Sequence, residues 1–248
     1  MKRLSPSVKI YIALVVVLSI LTAINAFLPQ GDFALPDQEI PLSKPVIALV
    51  NAVTALLLYG GLGFIGLKLS QKLGFSDLWD DSVSNQQRFL LPAVVGIGIG
   101  LFFIVVDLLL SQFHTLGPVP HPPFPTSIIV SAIAAIGEEI IFRLFFIPFW
   151  VWLIAFIILR KRWQEPVFWI VALFSALAFA LGHIPSAMVL FGITEISAVP
   201  PVLLLEIMLL NGVLSLFAAH YFKKHGFLAA VGIHFWVDVV WHVIWGVL

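Results

Sequence analysis

A chain of 248 residues that is 61% hydrophobic and 10% charged does not have the composition of a water-soluble domain. Its 13 Lys and Arg balance its 13 Asp and Glu, so no basic surface for a nucleic-acid partner is expected. Cysteine is absent, which excludes disulfides, thiolate metal sites and a cysteine nucleophile.

Met1 to Lys9 is short and basic, and Ile10 to Leu28 is the first apolar span. That span is long for a signal peptide, and no clean small-x-small cleavage site follows. It reads as an uncleaved first helix. Pro29 to Lys44 is polar and acidic through Asp32, Asp37 and Glu39. Pro45 to Leu69 is the second span, and Gly60, Gly61, Gly63 and Gly66 mark it for close helix contact. Ser70 to Arg88 is a polar connector. Phe89 to Gln112 is the third span, with Gly96 and Gly100 at small-xxx-small spacing. Asp107, near its end, reads as an interfacial or hydrogen-bonded aspartate rather than a catalytic one.

Phe113 to Pro125 holds Pro118, Pro120, Pro122, Pro123 and Pro125 and no Lys or Arg, a stiff extended connector. His114 and His121 read there as solvated loop histidines. Thr126 to Leu159 is longer than a bilayer core of about 30 Å requires, and Pro148 either kinks it or ends a first helix. Pro166 to Ile184, Val202 to Phe222 and Phe227 to Leu248 are the remaining spans.

Counting Thr126 to Leu159 once gives seven crossings; splitting it at Pro148 gives eight. Seven crossings gather Lys2, Arg3, Lys9, Lys68, Lys72, Arg88, Arg160, Lys161, Arg162, Lys223 and Lys224 on one side and leave Lys44 on the other. The positive-inside rule then favours seven, with the N-terminus cytoplasmic and the C-terminus outside. The expected fold is all-α: a single polytopic transmembrane helix bundle over residues 1–248, in a plasma membrane of bacterial type.

Charged groups inside these spans carry the functional argument. Glu138, Glu139 and Arg143 lie in an apolar run, and each ionised group near a bilayer centre costs roughly 2.5–3.5 kcal/mol on insertion scales. On a helix Glu139 and Arg143 are i and i+4 with the acid first, the favourable order for an ion pair. That pair alone would fit a packing lock. Glu138, pointing about 100° away, is left over. His183 stands one turn after Phe179, at Gly182-His183-Ile184-Pro185. In the last span His234 and Asp238 are i and i+4, and His242 continues the stripe. Glu206 and Asn211 read as inter-helix hydrogen-bonding groups. Phe235, Trp236, Trp241 and Trp245 read as packing and interface residues.

Spans that each supply titratable groups are most economically explained by one shared polar cavity. A carboxylate and two imidazoles suit the activation of water, and histidines can also serve an oxyanion or a metal.

Glu138-Glu139-x-x-x-Arg143, Phe179-x-x-x-His183 and His234-x-x-x-Asp238, in this order on successive hydrophobic segments, resemble the CPBP family of intramembrane proteases. That family includes the CAAX prenyl endopeptidases and the bacterial Abi proteins linked to bacteriocin processing or immunity. The resemblance covers about residues 127–248. It implies an intramembrane endopeptidase in which Glu138 and His183 activate water, Glu139 and Arg143 position it, and His234 with residue 238 stabilises the oxyanion. Asp238 stands where the family often has Asn, and an ionised Asp cannot donate to an oxyanion. Orienting His234 or binding a metal are its alternative roles. The set Glu138, His183, His234 and Asp238 suits a divalent metal such as zinc without requiring one. The implied partners are the lipid bilayer and a peptide or protein substrate, lipidated or not. Two rival readings are a non-catalytic membrane scaffold or immunity protein and a proton- or ion-coupled transporter. The latter usually brings repeats, and none is visible. One tension stands out: His183 lies near the outer end of its span and His234 nearer the inner end of its own.

Overall fold

Apolar runs of these lengths have one low-energy solution in lipid, the α-helix, because it satisfies every backbone donor and acceptor internally. The structure, a computed structural model, describes residues 4–31 and 42–248. Lys2, Arg3, Asp32, Asp37 and Glu39 lie outside the described residues. Seven helices are long and apolar enough to cross a membrane: α1 (Pro6–Asn25), α2 (Lys44–Leu73), α3 (Gln86–Phe113), α4 (Thr126–Ile158), α5 (Gln164–Leu190), α6 (Pro201–His225) and α7 (Phe227–Val247). No strand occurs among the described residues.

Local sequence sets the helix ends. Ser5 caps α1 by accepting from the Val8 N–H at 3.4 Å, and Pro6 fills a first-turn position that needs no N–H. Gly74, at φ +72°, closes α2 in the left-handed conformation. α4 passes Pro148 without a break, so the chain crosses seven times rather than eight. Pro148 begins a short α-helical piece between two wide π-type stretches, Ile140–Phe146 and Trp152–Ile158, where the register is already relaxed.

α7 lies at the centre, packed against α3, α4 and α6, while α4 also meets α1, α2 and α5. Two glycines expected at contacts are where backbones come closest. A Cβ on Gly66 would lie 2.0 Å from the Leu144 carbonyl oxygen, and one on Gly96 would lie 2.6 Å from that of Ile233. Outward faces carry exposed apolar residues such as Leu57, Leu101, Val105 and Leu173, as a lipid-facing belt requires.

The two ends of the bundle differ. At one end Gln164 Nε2 donates to the Leu73 carbonyl at 2.7 Å, and Ser76 Oγ donates to that of Lys224 at 3.0 Å. Lys72 lies over the Trp152 and Phe156 rings there, and Lys223 pairs with Glu165. At that end α6 turns into α7 through Gly226 alone, at φ +86°. The other end carries the proline-rich connector. There Thr126 Oγ1 donates to the Pro29 carbonyl at 2.5 Å, and the Val119 N–H donates to Asp107 Oδ1 at 3.0 Å.

Candidate active site

Glu139 and Arg143 are both fully buried, and Arg143 Nη1 stands 3.1 Å from Glu139 Oε1, the i, i+4 ion pair expected from spacing. The approach is close enough for an ion pair but off the axis of a hydrogen bond, and the guanidinium nitrogens have no hydrogen-bond partner among the described residues. The guanidinium instead lies 4.7 Å from the centre of the Phe179 ring, a cation–π contact within desolvated protein.

The same Glu139 Oε1 takes a hydrogen bond from α7, where His234 Nδ1 lies 2.9 Å away. A carboxylate oxygen can only accept, so Nδ1 carries the proton and the ring orientation is fixed. His234 Nε2 then faces two further carboxyls, Asp238 Oδ2 at 3.6 Å and Glu138 Oε2 at 3.8 Å. Both exceed direct hydrogen-bond length, and separations of this size are where a bridging water belongs. Glu138 differs from its neighbour in exposure: its side chain is 35% exposed, while that of Glu139 is 0%. Three carboxyls therefore converge on one guanidinium and one imidazole. Arg143 alone cannot balance three carboxylates.

Wide helical turns begin directly after both acidic residues: Ile140–Phe146 follows Glu139, and Val239–Ile244 follows Asp238. These local expansions are common at functional sites because they re-aim side chains within a continuous helix. The second one takes His242 off the stripe read from sequence. His242 Nδ1 lies 3.0 Å from His121 Nδ1 on the proline-rich connector, away from Asp238.

His183 sits at a break in α5, between helical pieces Gln164–Gly182 and Ile184–Leu190, with Pro185 supplying no N–H to bridge them. Its Nδ1 lies 2.8 Å from the Phe179 carbonyl oxygen. A carbonyl only accepts, so Nδ1 donates and the other ring nitrogen, Nε2, is the one free to take a proton. His183 is not joined directly to the carboxyl cluster. The Phe179 ring stands between, 4.8 Å from the His183 ring and 5.9 Å from that of His234. His183 and His242 share a cavity of about 150 Å³ with Glu206 and Asn211. His183 and His234 therefore meet through one aromatic ring rather than directly.

Of the four expected zinc donors, Glu138 and Asp238 lie near His234 while His183 contacts Phe179 instead. Among the described residues no group of three or more His, Asp or Glu is placed to hold a metal ion.

Several residues read as ordinary are not. The side chain of His114 is 3% exposed and its Nε2 lies 3.8 Å from Glu206 Oε2, so it is no solvated loop histidine. His121 is packed against Trp241, ring centres 4.7 Å apart, and burial pushes its imidazole down to about 4. Asp107 is hydrogen-bonded as expected but fully buried, and its carboxyl meets that of Glu206. Asn211 Nδ2 donates to the Ile207 carbonyl in its own helix at 2.9 Å, not across helices. One signal was available: Asp107 and Glu206 each stand in an apolar span without a basic residue one turn away.

Comparison with known proteins gives a match at the level of a family model. Residues 120–240 match a family model described as type II CAAX prenyl endopeptidase Rce1-like. No curated protein and no solved structure matches the chain. The seven apolar helices and this family make the molecule an integral membrane protein, and the family supports a protease. The matched segment spans all three motifs, and over it the chain is similar to the Rce1-like family, consistent with the CPBP resemblance.

Proposed function

We propose that this protein is an intramembrane endopeptidase that hydrolyses a peptide bond with water activated by Glu138 and the surrounding histidines. The observation that carries the reading is Glu138 itself, the one acid of its cluster left accessible, with its Oε2 3.8 Å from an imidazole nitrogen oriented by Glu139. In the proposed reaction a water lies between Glu138 and the scissile carbonyl. The carboxylate takes one proton from the water as its oxygen bonds to the carbonyl carbon, and the C=O electron pair moves onto oxygen. His234, in its imidazolium form, donates Nε2–H to that oxyanion. The oxyanion then collapses, the C–N bond breaks, and the proton held by Glu138 passes to the departing nitrogen. The proton left on the new carboxyl passes to the amine, so the products are a carboxylate and an ammonium.

Glu139 and Arg143 act as positioning residues, because they hold His234 and do not face the open side. Asp238 acts on His234, favouring its charged form, since an ionised carboxylate cannot itself donate to the oxyanion. His183, with Nε2 free, is proposed to hold the attacking water from the cavity side by accepting a hydrogen bond, while the proton itself passes to Glu138.

The test uses purified protein in lipid nanodiscs and an internally quenched peptide ending in a prenylated CAAX sequence. Wild type is expected to cleave it, and Glu138→Ala to lose at least about 100-fold in rate. The unfolding midpoint of the variant should stay within a few degrees of wild type. A folded Glu138→Ala protein that still cleaves removes the assignment.

A further inference from the structure

Among the described residues, the three non-glycine residues at positive φ all fall in the turn that joins α4 to α5. They are Arg160 at +50°, Lys161 at +65° and Trp163 at +59°. Left-handed backbone crowds a Cβ against the neighbouring carbonyl, whereas glycine adopts it without steric cost. The turn is short, because α4 ends at Ile158 and α5 begins at Gln164. The Lys161 N–H donates to the Ala155 carbonyl at 2.8 Å and the Arg162 N–H to that of Leu159 at 3.1 Å, which holds this geometry. The positive-inside rule asks only for cations somewhere in such a loop. Here two of them occupy positions where any side chain is costly, and strain kept at such positions points to a use for the side chains.

Arg160 and Arg162 line a hollow of about 410 Å³ together with Ile158, Leu159 and Trp163. Its edge is apolar and open at the end of a membrane span, with Ile158 63% and Trp163 71% exposed. No carboxylate pairs with Arg160, Lys161 or Arg162 among the described residues. Glu165, the acid nearest in sequence, is engaged by Lys223 and by Trp169 Nε1. Lys161 does not line the hollow: its ammonium lies 4.8 Å from the centre of the Phe156 ring, and that of Lys72 lies 5.0 Å from the same centre. Two ammonium groups drawn to one ring repel each other, so this corner of the molecule carries an excess of positive potential.

Two guanidiniums beside an open apolar edge match an anion that is itself tethered to hydrocarbon. Phosphate suits the planar donor forks of arginine. We infer that the α4–α5 turn is a binding site for the phosphate of an anionic glycerophospholipid, held by Arg160 and Arg162. Its acyl chains run along Ile158 and Leu159, and Trp163 lies at the headgroup level, where indole rings concentrate. The bound lipid fixes this end of the helix that carries Glu138. A soluble phosphate ester offers the same headgroup chemistry, and the titration separates the two sources.

The full-length protein is placed in phosphatidylcholine vesicles containing dibrominated phosphatidylglycerol or dibrominated phosphatidylcholine. Quenching is followed in the tryptophan fluorescence component that is lost in Trp163→Phe. Wild type should prefer the brominated phosphatidylglycerol by at least about tenfold in relative affinity. Arg160→Gln and Arg162→Gln should each lower that preference at least about threefold. Lys161→Gln removes the same unit charge from the same turn but not from the hollow, and should keep most of the preference. Arg160→Gly gives an independent readout. Glycine relieves the backbone there, so in zwitterionic detergent the unfolding midpoint should equal or exceed that of wild type while the preference falls.

Equal losses in all three glutamine variants indicate diffuse attraction to a charged surface and overturn the site. Quenching that ignores the headgroup overturns it as well. Displacement of the brominated lipid by millimolar sn-glycerol 3-phosphate or inorganic phosphate assigns the hollow to a soluble ester and overturns the lipid assignment. A lowered midpoint in Arg160→Gly with the preference intact makes that arginine a structural residue and removes it from the site.

Discussion

Glu139 holds two partners at once, a guanidinium from its own helix and an imidazole from α7, and that double duty sets what each substitution should do. Arg143→Leu leaves a buried carboxylate without its cation, which typically destabilises by about 3–5 kcal/mol. The expected readout is a large drop in the detergent unfolding midpoint. Adding Glu139→Gln to that variant should restore much of the loss, since the amide oxygen still accepts from His234 Nδ1. No recovery in the double variant would show that the guanidinium matters for packing rather than for charge. The Glu139–Arg143 pair was legible because helical period fixes which side chains on one helix meet. The His234–Glu139 bond was not, because period says nothing about which face of α4 meets which face of α7. His114 and Glu206 escaped for the same reason: each has its partner on an element distant in sequence.

Helix contacts make their own predictions. Gly66→Ala would drive a methyl into the Leu144 backbone, and overpacking of this kind costs about 1–3 kcal/mol. Gly61→Ala, where a Cβ meets nothing within 4 Å, should leave the unfolding midpoint unchanged. The glycine clusters marked α2 for close contact, but only the structure separates Gly66 from Gly61. The proline-rich connector is held partly by His121 against His242 and Trp241. Burial pushes His121 from its ordinary 6.5 down to about 4, so the undocked connector takes up a proton before the docked one does. Docking should be at full strength above about pH 6.5, weaken as pH falls, and level off below about pH 4. The protection factor of the Val119 amide, corrected for intrinsic exchange, should fall as pH drops across that window in wild type and change less in His121→Phe. The run of prolines announced a stiff segment. It could not announce that the segment is folded back onto α7, because composition carries no information about docking.

At the scale of the whole molecule, an odd number of crossings places the two chain ends on opposite faces of the membrane. We expect the end bearing Lys72, Lys223 and Lys224 to be cytoplasmic. The cysteine-free sequence makes this simple to check. Ser82→Cys should react with an impermeant maleimide only from the cytoplasmic face, and Ser197→Cys only from the outside. The reverse pattern would invert the orientation. The number of spans was readable from hydropathy, since the expense of placing polar backbone in lipid leaves few alternatives. How α7 came to be the central helix was not, because a helix that is apolar on all sides gives no sign of which neighbours surround it. The 95 residues separating Glu139 from His234 also bear on how the chain is made. At about 5–20 residues per second, a nascent α4 leaves the ribosome many seconds before its α7 acceptor exists. Arg143, one turn away on the same segment, gives Glu139 a charge partner that is already made during that wait. The pair therefore serves biogenesis first, and the finished site inherits a carboxylate that has already been escorted into lipid.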